Sequence, residues 1–233
     1  MAYRLAVFDM AGTTVSASDL VVDALIDSLA RRGFVAERAA VRPLMGYPKP
    51  QAIRMLLGAD NAASRDARLV DALHRAFVAD MIEKYRTSVQ VTPMPGAQEC
   101  FAALRARGVL VALNTAFSRD IAQTIVDRFG WLRDGTIDDL IATDEVAAGR
   151  PHPDMIRALM ARHGVPDAGA VVKTGDTEVD VQEGRNARAG LVVAVTTGAF
   201  RRAALEACAP DYVIDNLTEL PPLLEVGAPS SGR

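Results

Sequence analysis

The sequence predicts an α/β protein whose core is a doubly wound, Rossmann-like parallel sheet and whose second part is an inserted helical cap. Short apolar runs rich in valine recur along the chain, as is typical of strands that are buried on both faces. From residue 91 onward these runs alternate with helical patterns, as expected where helices connect parallel strands. Between residues 16 and 90, helical patterns follow one another without an apolar run, and this stretch predicts the cap.

Six apolar segments fit the strand pattern, and each ends in polar or small residues. Three helical patterns lie between them, over residues 95–107, 117–129 and 153–163, and a glycine follows each one, which is a common signal for the end of a helix. The predicted strands cover residues 3–9, 109–115, 140–143, 170–176, 191–197 and 212–214.

The cap is predicted to contain two main helices. Ser18 can cap the first of them, which carries Val21, Leu25 and Leu29 on one stripe. Ser64 can cap the second, longer helix, in which apolar residues recur every four positions. The predicted organisation is a core of residues 1–15 and 91–227, a cap of residues 16–90 and an unstructured tail of residues 228–233.

The composition limits the classes of function. The 233 residues carry a formal net charge of −3 with a pI near 5.7, whereas a general nucleic-acid-binding protein is usually basic. Cys100 and Cys208 are far apart in the chain, so we expect neither a disulfide framework nor a zinc site. No apolar run reaches about eighteen residues, so we expect no membrane span and predict a cytoplasmic protein.

Doubly wound sheets bind ligands at the carboxyl ends of their strands, and Asp9 lies at such an end. Asp9 ends the first strand and is followed by Gly12 and Thr13 in the segment DMAGTT. A carboxylate at this place can ligate Mg²⁺ or attack phosphorus to form an aspartyl-phosphate, and Gly12 allows backbone N–H groups to turn toward an anion. Alternatively, Asp9 only caps the turn that follows the strand.

Three other segments offer groups for the same chemistry. Asp176 and Asp180 follow a buried strand at helical spacing and could supply a metal ligand and its partner, or simply favour a helix N-terminus. Thr115 ends another strand and offers a hydroxyl and an N–H to a phosphoryl oxygen, unless it merely terminates the strand. Arg150 could neutralise charge on Asp9 and on a phosphoryl group, although an arginine is more often a solvated surface residue.

Together these segments resemble the motifs of the haloacid dehalogenase superfamily of phosphotransferases, and the resemblance covers the whole chain. The motifs are Asp-x-x-Gly-Thr after the first strand, a threonine after the next core strand, a basic residue before Pro-x-Pro, and Gly-Asp-x-x-x-Asp at residues 175–180. The resemblance implies a helical cap on a Rossmann-like core, an aspartyl-phosphate on Asp9 and a catalytic role for Asp180. It also implies Mg²⁺ ligation by Asp9, the backbone carbonyl of Ala11, and Asp176.

Ala11 narrows the resemblance to one branch of the superfamily. Most of its phosphatases have a second aspartate at this position, two residues after the nucleophile, which protonates the leaving alkoxide. This chain is similar to the phosphonatase-like (phosphonoacetaldehyde hydrolase-like) branch in the segments DMAGTT and GDTEVDVQEGRNA, and in having Arg150 in place of the commoner lysine.

In the phosphonatase-like branch a cap lysine forms an imine, a Schiff base, with the substrate aldehyde. The imine accepts the electron pair of the C–P bond, so the reaction requires no proton on an oxygen leaving group.

Lys49 follows Met-Gly-Tyr-Pro in the predicted cap loop and is the candidate for this imine. Such a lysine needs a lowered pKa so that the neutral amine can attack. Two alternatives stay open: Lys49 recognises a distal anionic group of the substrate, as a basic residue does in related mutases and phosphatases, or it is a solvated loop lysine. The resemblance further implies substrate or phosphate contacts from Gly12, Thr13, Gly46, Tyr47, Asn114 and Ala116.

The sequence therefore predicts a Mg²⁺-dependent hydrolase that cleaves a C–P or P–O bond of a small phosphonate or phosphorylated metabolite. Phosphonatases have a histidine at the position of Ala52 and a cysteine near the position of Asp19. The absence of both side chains indicates a substrate other than phosphonoacetaldehyde. The alternatives are a phosphate monoester phosphatase or phosphosugar mutase of the same superfamily, and a non-enzymatic binding protein. Intact Asp9, Asp176 and Arg150 count against the last of these. The resemblance also makes a cap-mediated homodimer an expectation.

Overall fold

The computed structural model describes residues 2–16 and 18–226, and the predicted tail of residues 228–233 lies outside them. Its strands, in chain order, are β1 (Leu5–Phe8), β2 (Val15–Ser16), β3 (Thr92–Pro93), β4 (Leu110–Thr115), β5 (Asp139–Ala142), β6 (Val171–Gly175), β7 (Leu191–Val195) and β8 (Tyr212–Ile214). Its α-helices are α1 (Ser18–Ala30), α2 (Arg38–Val41), α3 (Lys49–Leu57), α4 (Ala62–Arg65), α5 (Ala67–Thr87), α6 (Ala97–Ala106), α7 (Arg119–Phe129), α8 (Asp154–Arg162), α9 (Glu178–Ala187), α10 (Arg202–Ala207) and α11 (Leu220–Val226).

Within the described residues, six strands form one parallel sheet in the order β5-β4-β1-β6-β7-β8. From β1 the chain adds β4 and β5 on one side, and then β6, β7 and β8 on the other, so the direction of winding reverses beside β1. The predicted doubly wound α/β fold is therefore confirmed, and all six predicted strands are present. Among the described helices, none combines the length and the apolar character that crossing a membrane requires.

The central strand β1 shows why this sequence forms a buried sheet, since all four of its residues are completely buried. Ala6 and Phe8 pack into an apolar cluster with Phe101 of α6, and the rings of Phe8 and Phe101 are 5.2 Å apart. Leu5 and Val7 pack into a second cluster, which includes residues of α8. Because successive side chains of a strand point to opposite faces, an uninterrupted apolar run is needed to fill both layers.

The helical region leaves and rejoins the core through two short strands that the sequence analysis did not predict. β2 and β3 pair antiparallel, with Val15 opposite Pro93 and Ser16 opposite Thr92. The pairing is short and contains a proline, so neither alternation nor a long apolar run marks it in the sequence. Helices α1 to α5 lie between these two strands in the chain, and the strand pair brings the two connections to the core side by side.

The start of the long helix α5 differs from the prediction. Ser64 lies in the short helix α4, where its hydroxyl donates to a backbone carbonyl at 2.7 Å. Asp66 caps α5 instead, because its carboxylate accepts the N–H groups of Arg68 and Leu69 at 2.9 and 3.2 Å. A carboxylate at a helix N-terminus also interacts favourably with the helix dipole. The side chain of Ser18, the predicted cap of α1, lies outside the described part of the chain.

Helix α5 joins the helical region to the core. It packs against α1 on one side and against α7 of the core on the other, and its stripe of Phe77, Met81 and Tyr85 is buried. Arg128 of α7 donates to the backbone carbonyls of Tyr85 and Ser88 at 2.5 and 2.8 Å. These contacts fix the end of α5 beside the carboxyl end of β4.

Candidate active site

Three neighbouring strands bring their carboxyl ends to one place at the edge of the sheet. Asp9 follows β1, Thr115 ends β4 and Asp176 follows β6, and β1 is hydrogen-bonded to both of the other strands. Asp9, Asp176 and Asp180 have carboxylate oxygens that lie within 4.8 Å of one another. The structure therefore brings together groups that the sequence analysis assigned to phosphoryl transfer.

Arg150 is 1% exposed and forms ion pairs with two of these carboxylates. Its Nη1 atom lies 2.5 Å from Oδ1 of Asp9 and 3.0 Å from Oδ1 of Asp180. Because a buried charge is costly unless it is paired, the guanidinium favours the ionised form of both aspartates. The alternative of a solvated surface arginine is therefore excluded.

Asp176 is held at both of its carboxylate oxygens. Oδ1 accepts the hydroxyl of Thr13 at 2.8 Å, and Oδ2 accepts the N–H of Ala199 at 2.9 Å. Gly12 has a φ of +95°, and a Cβ there would lie 2.6 Å from Oδ2 of Asp176, so both the backbone conformation and the close approach require glycine. The sequence analysis assigned Thr13 to the phosphate, whereas its hydroxyl is engaged by Asp176.

Asp180 is hydrogen-bonded through one carboxylate oxygen and lies against two cations with the other. Its Oδ2 accepts the N–H and the hydroxyl of Thr177 at 3.2 and 2.5 Å. Its Oδ1 lies 2.9 Å from Nζ of Lys173 and 3.0 Å from Nη1 of Arg150. Thr177 and Asp180 also form the capping box that begins α9, which fixes the aspartate in this position.

Asp9, Asp176 and the backbone carbonyl of Ala11 form a donor set that fits a divalent cation. Carboxylate and carbonyl oxygens are the ligands that Mg²⁺ prefers in proteins. Within the described residues, no N–H or hydroxyl donates to the Ala11 carbonyl, so this oxygen remains free for a cation. The three groups are those that the resemblance implied for the metal.

The balance of charge around this donor set also fits a divalent cation. Arg150 and Lys173 are both buried, and their two positive charges are matched by the buried carboxylates of Asp180 and Glu183. The negative charges of the two aspartates in the donor set are then left without a full counter-charge. Two adjacent buried carboxylates repel each other, and a divalent cation removes this repulsion.

The three aspartates respond differently to their surroundings. Burial raises the pKa of Asp176 to about 8, and the charges of Asp9 and Asp180 add to this effect. Burial also raises the pKa of Asp9, although Arg150 acts in the opposite direction. For Asp180, burial is outweighed by Arg150 and Lys173, and the pKa is lowered. Asp180 is thus held as an anion, whereas Asp9 and Asp176 compete for ionisation until a cation is bound.

A pocket opens beside these groups. One part of its wall is apolar and is formed by Val21, Met45 and Phe117. Thr115, which accepts the N–H of Phe117 on its hydroxyl at 3.2 Å, also lines the pocket. The remaining lining residues are Asp9, Ala11, Gly46, Lys49, Ala116, Arg150, Asp176, Thr177 and Ala199.

Lys49 lines this pocket and is only 3% exposed, so it is not a solvated lysine. It begins helix α3 rather than lying in a loop as predicted, because the prolines on either side of it favour a helix start. Its Nζ donates to the carbonyl of Tyr47 at 3.1 Å and lies 5.4 Å from the centre of the Phe117 ring. Burial lowers the pKa of Lys49 to about 8, although the charge of Asp9 acts in the opposite direction.

Two residues that the sequence analysis assigned to the substrate lie elsewhere. The side chain of Asn114 is completely buried, and its Oδ1 accepts hydrogen bonds from Arg150 at 2.6 Å and from Lys173 at 2.8 Å. Tyr47 is half-buried, does not line the pocket, and contributes its carbonyl to Lys49. The reason in both cases is that a buried cation has to be provided with acceptors, and these residues supply them.

Several residues of the site were not predicted from the sequence. Glu183 is completely buried beneath the pocket, and the unpredicted lining residues are Val21, Met45, Phe117, Thr177 and Ala199. Glu183 follows Asp180 by three positions, so the two carboxylates share one face of α9. This spacing was the available signal, but in a sequence it is indistinguishable from the acidic face of a solvated helix.

Comparison with known proteins shows which proteins this chain is similar to. The family model for haloacid dehalogenase-like hydrolases matches residues 3–188. The phosphonoacetaldehyde hydrolase of Bordetella pertussis is 31% identical in an alignment that covers 94% of this chain and 90% of that protein. The structure of a phosphonoacetaldehyde hydrolase-like protein from Oleispira antarctica matches with a TM-score of 0.82 at 22% identity, covering 97% of this chain and 92% of that chain.

A second solved structure shows how widely this fold is shared. CbbY from Rhodobacter sphaeroides, in complex with xylulose-1,5-bisphosphate, matches with a TM-score of 0.74 at 23% identity, covering 94% of this chain and 96% of that chain. At these levels of identity the two structural matches establish the fold, and the chemistry has to be argued from the site itself.

Proposed function

Because the chain belongs to the haloacid dehalogenase-like hydrolase family and is a hydrolase, we propose that it cleaves the carbon–phosphorus bond of a small phosphonate that carries a carbonyl group. In this proposal Asp9 forms an aspartyl-phosphate and Lys49 forms an imine with the carbonyl carbon. The observation that carries the proposal is the position of Lys49, whose amine is buried in the same pocket as the Asp9 carboxylate.

The distribution of lysine supports a chemical role for Lys49. Lysine occurs at only three positions of the sequence, Lys49, Lys84 and Lys173, and the other basic side chains among the 26 lysines and arginines are arginines. Two of the three lysines are buried at the site. A guanidinium stays protonated and cannot form an imine, whereas a desolvated lysine amine can. The chain therefore keeps an amine at the place where the proposed reaction needs one.

The proposed reaction begins at Lys49. Its neutral amine attacks the carbonyl carbon of the substrate and a C–N bond forms. The adduct takes up one proton from solvent and loses water, which gives a positively charged imine. Because the pKa of Lys49 is lowered to about 8, part of the amine is neutral close to pH 7. The apolar wall formed by Val21, Met45 and Phe117 keeps the pocket dry, which favours loss of water over its addition.

The second step is the attack of Asp9 on phosphorus. An O–P bond forms, the C–P bond breaks, and the electron pair passes to the imine, which becomes a neutral enamine. No proton has to reach a leaving oxygen, and this agrees with Ala11 at the position where an acid would otherwise stand. Water then hydrolyses the aspartyl-phosphate, and the enamine takes a proton at carbon before water releases the carbonyl product.

The groups around the phosphoryl position stabilise the charge that spreads during this transfer. Thr115 and the backbone at Ala116 line the pocket beside Asp9. Asp9, Asp176 and the Ala11 carbonyl would hold Mg²⁺, which supplies positive charge to the phosphoryl oxygens when bound. Asp180 keeps the cations beneath the site in place.

Borohydride trapping tests the proposal. Borohydride reduces an imine to a stable secondary amine, and mass spectrometry of peptides then locates it. We expect labelling of Lys49 with phosphonates whose carbonyl is next to the carbon that bears phosphorus, and none with matched phosphonates that lack the carbonyl. Lys49→Arg should lose both labelling and turnover. Lys84→Arg is the control, because Lys84 lies on the surface with a partly exposed side chain.

The alternative function is hydrolysis or transfer at a phosphate ester, as in phosphatases and phosphosugar mutases of the same superfamily. The apolar wall of the pocket offers few partners for sugar hydroxyl groups, which favours the phosphonate. Phosphate monoesters and phosphosugars should therefore be included in the same assay. Rapid ester turnover that survives in Lys49→Arg, with no borohydride label on the wild-type protein, would overturn the proposal in favour of this alternative.

A further inference from the structure

Glu183 of α9 is a completely buried carboxylate to which the proposed reaction gives no role. Both of its oxygens lie 2.9 Å from Nδ2 of Asn114. Oε2 also lies 3.0 Å from Nε of Arg150 and 3.2 Å from Nζ of Lys173. A buried anion without water depends on such partners, so Glu183 and the two cations hold one another in place.

The guanidinium of Arg150 donates four hydrogen bonds to groups of the protein. Nε donates to Glu183 at 3.0 Å, and Nη2 donates to the carbonyl and the side-chain oxygen of Asn114 at 2.8 and 2.6 Å. Nη1 lies 2.5 Å from Asp9 and 3.0 Å from Asp180. A guanidinium has five N–H groups, and four of them make these hydrogen bonds. Arg150 therefore acts mainly on Asp9, and at most one N–H group is left for a phosphoryl oxygen.

Lys173 completes the network from strand β6. Its Nζ lies 2.8 Å from Oδ1 of Asn114 and 2.9 Å from Oδ1 of Asp180. Gly184 makes room for this lysine, since a Cβ at that position would lie 3.1 Å from both Cβ and Cγ of Lys173. Two cations and two carboxylates thus form a buried cluster without net charge beside the Asp9 carboxylate, and the loss of one member leaves another uncompensated.

We propose that Glu183, together with Lys173, is a positioning pair for the reaction at Asp9. Glu183 fixes the Arg150 guanidinium through its Nε atom, and Lys173 holds Glu183 in place. Arg150 then holds one oxygen of the Asp9 carboxylate in the direction needed for attack on phosphorus. The inference rests on the proposed phosphorylation of Asp9 but not on the identity of the substrate. Small errors in the orientation of a nucleophile reduce rates strongly, which gives the pair a measurable effect on turnover.

Three variants and one control test this role. Glu183→Gln keeps the shape of the side chain and removes its charge, and Lys173→Met removes the cation. The double variant Lys173→Met/Glu183→Gln removes one charge of each sign and restores the balance of the cluster. Glu178→Gln is the control, because Glu178 is an exposed acidic residue of the same helix, where it accepts a hydrogen bond from Gln182 at 2.7 Å.

We expect each of the two single variants to lower kcat by about 10- to 100-fold, which corresponds to the loss of one charge-assisted hydrogen bond. KM should change by less than about threefold, because neither Glu183 nor Lys173 lines the pocket. The double variant should recover kcat by about tenfold relative to Lys173→Met, since it restores charge balance. The control should stay within about twofold of the wild type.

NMR of the Arg150 Nε–H group gives a readout that does not depend on turnover. In the wild-type protein this proton is buried and bonded to Glu183, so it should exchange slowly with solvent. Glu183→Gln should shift the resonance and speed its exchange, whereas Glu178→Gln should not. Glu183→Asp keeps the charge and serves in place of Glu183→Gln if thermal unfolding shows that the latter does not fold.

The inference is overturned if Glu183→Gln folds and keeps both kcat and the Arg150 resonance. It is also overturned if the double variant is no faster than Lys173→Met, or if KM rises while kcat is unchanged. Failure of the proposed function has a different signature, because it appears in the wild-type protein as the absence of a borohydride label. An ester substrate that phosphorylates Asp9 would then still test the positioning pair.

Discussion

The Nζ atom of Lys49 lies 5.4 Å from the centre of the Phe117 ring, in the pocket that also exposes the carboxylate of Asp9. Tyr85 packs edge-on against the same ring, with 5.9 Å between the ring centres, and the ring of Phe77 lies 6.5 Å away. The ring face attracts an ammonium ion, but burial in this aromatic environment costs more, and the pKa of Lys49 is lowered. A partly neutral amine therefore lies in the same pocket as the Asp9 carboxylate.

Lys49 should react with carbonyl compounds with a midpoint near pH 8. At a pKa of about 8, roughly 10% of the amine is neutral at pH 7, compared with about 0.03% at the usual value of 10.5. We expect the rate of aldehyde labelling under borohydride to rise about tenfold from pH 6 to pH 7 and to level off above about pH 8.5. A midpoint above pH 10 would contradict this.

Lys49→Met should stabilise the protein while abolishing the proposed chemistry. The pKa of Lys49 is lowered from 10.5 to about 8, so the unfolded chain binds the extra proton between these values. The resulting penalty on the wild type, about 3 kcal/mol, is complete below pH 8 and disappears as the pH rises to 10.5. Denaturant unfolding should show a gain for Lys49→Met at pH 7 that shrinks toward pH 10.5.

The matched control for this measurement is Lys84→Met, which removes a partly exposed lysine of α5. This variant should show a small effect without the same dependence on pH. A gain in Lys49→Met that is equal at pH 7 and pH 10.5 would mean that packing, and not the desolvated charge, causes the stabilisation.

Gly46→Ala should weaken catalysis by preventing the close approach of the cap loop to the core. Gly46 has a φ of +85°, and a Cβ there would lie 2.5 Å from Cγ2 of Val179 and would also overlap the hydroxyl of Thr177. We expect kcat/KM to fall by at least about tenfold, because a misplacement of an ångström displaces Lys49 from the pocket.

Gly58→Ala is the control for Gly46→Ala. Gly58 has a similar φ of +89°, but no atom lies within 4 Å of the position that its Cβ would occupy. Both variants therefore carry backbone strain, and only Gly46→Ala adds an overlap with the core. Comparable losses of kcat/KM in the two variants would show that strain alone is responsible.

Mg²⁺ binding should become tighter as the pH rises toward 8. Burial and the neighbouring carboxylates raise the pKa of Asp176 to about 8, so below this pH the metal has to displace a proton from the site. We expect the affinity to increase up to about tenfold per pH unit between pH 6 and pH 8, with release of about one proton. Calorimetry in buffers of different ionisation enthalpy measures both, and an affinity independent of pH would contradict the prediction.

Much of the fold could be predicted because it depends on local pattern. An apolar run such as Leu5–Phe8 has no stable position except between two layers, and a strand of this kind implies a parallel sheet. The pairing of β2 with β3 could not be predicted, since two residues on each side carry no periodicity. The predicted start of α5 was wrong, because Ser64 and Asp66 are both good N-terminal caps and local sequence does not distinguish them. Tertiary packing determines that Asp66 is the cap.

The strand-end residues of the site could also be predicted, because parallel strands present their carboxyl ends on one edge. Asp9, Thr115 and Asp176 meet there as a direct consequence of the order of β4, β1 and β6. The environment of Arg150 could not be predicted, since its partners Asp9 and Glu183 lie 141 and 33 residues away in the chain. Nothing local distinguishes a buried Glu183 from a solvated glutamate of the same helix face.

By itself, the order of amino acids determined the sheet, the helical insertion and which carboxylates lie at the strand ends, because hydrophobic periodicity and strand direction are properties of neighbouring residues. Tertiary structure alone decided that Lys49 is desolvated, that Asp180 is engaged by two cations, and that Asn114 serves Arg150 and Lys173 rather than a ligand. The physical reason is that the charge state of a buried group depends on which distant partners surround it and on how much water they exclude.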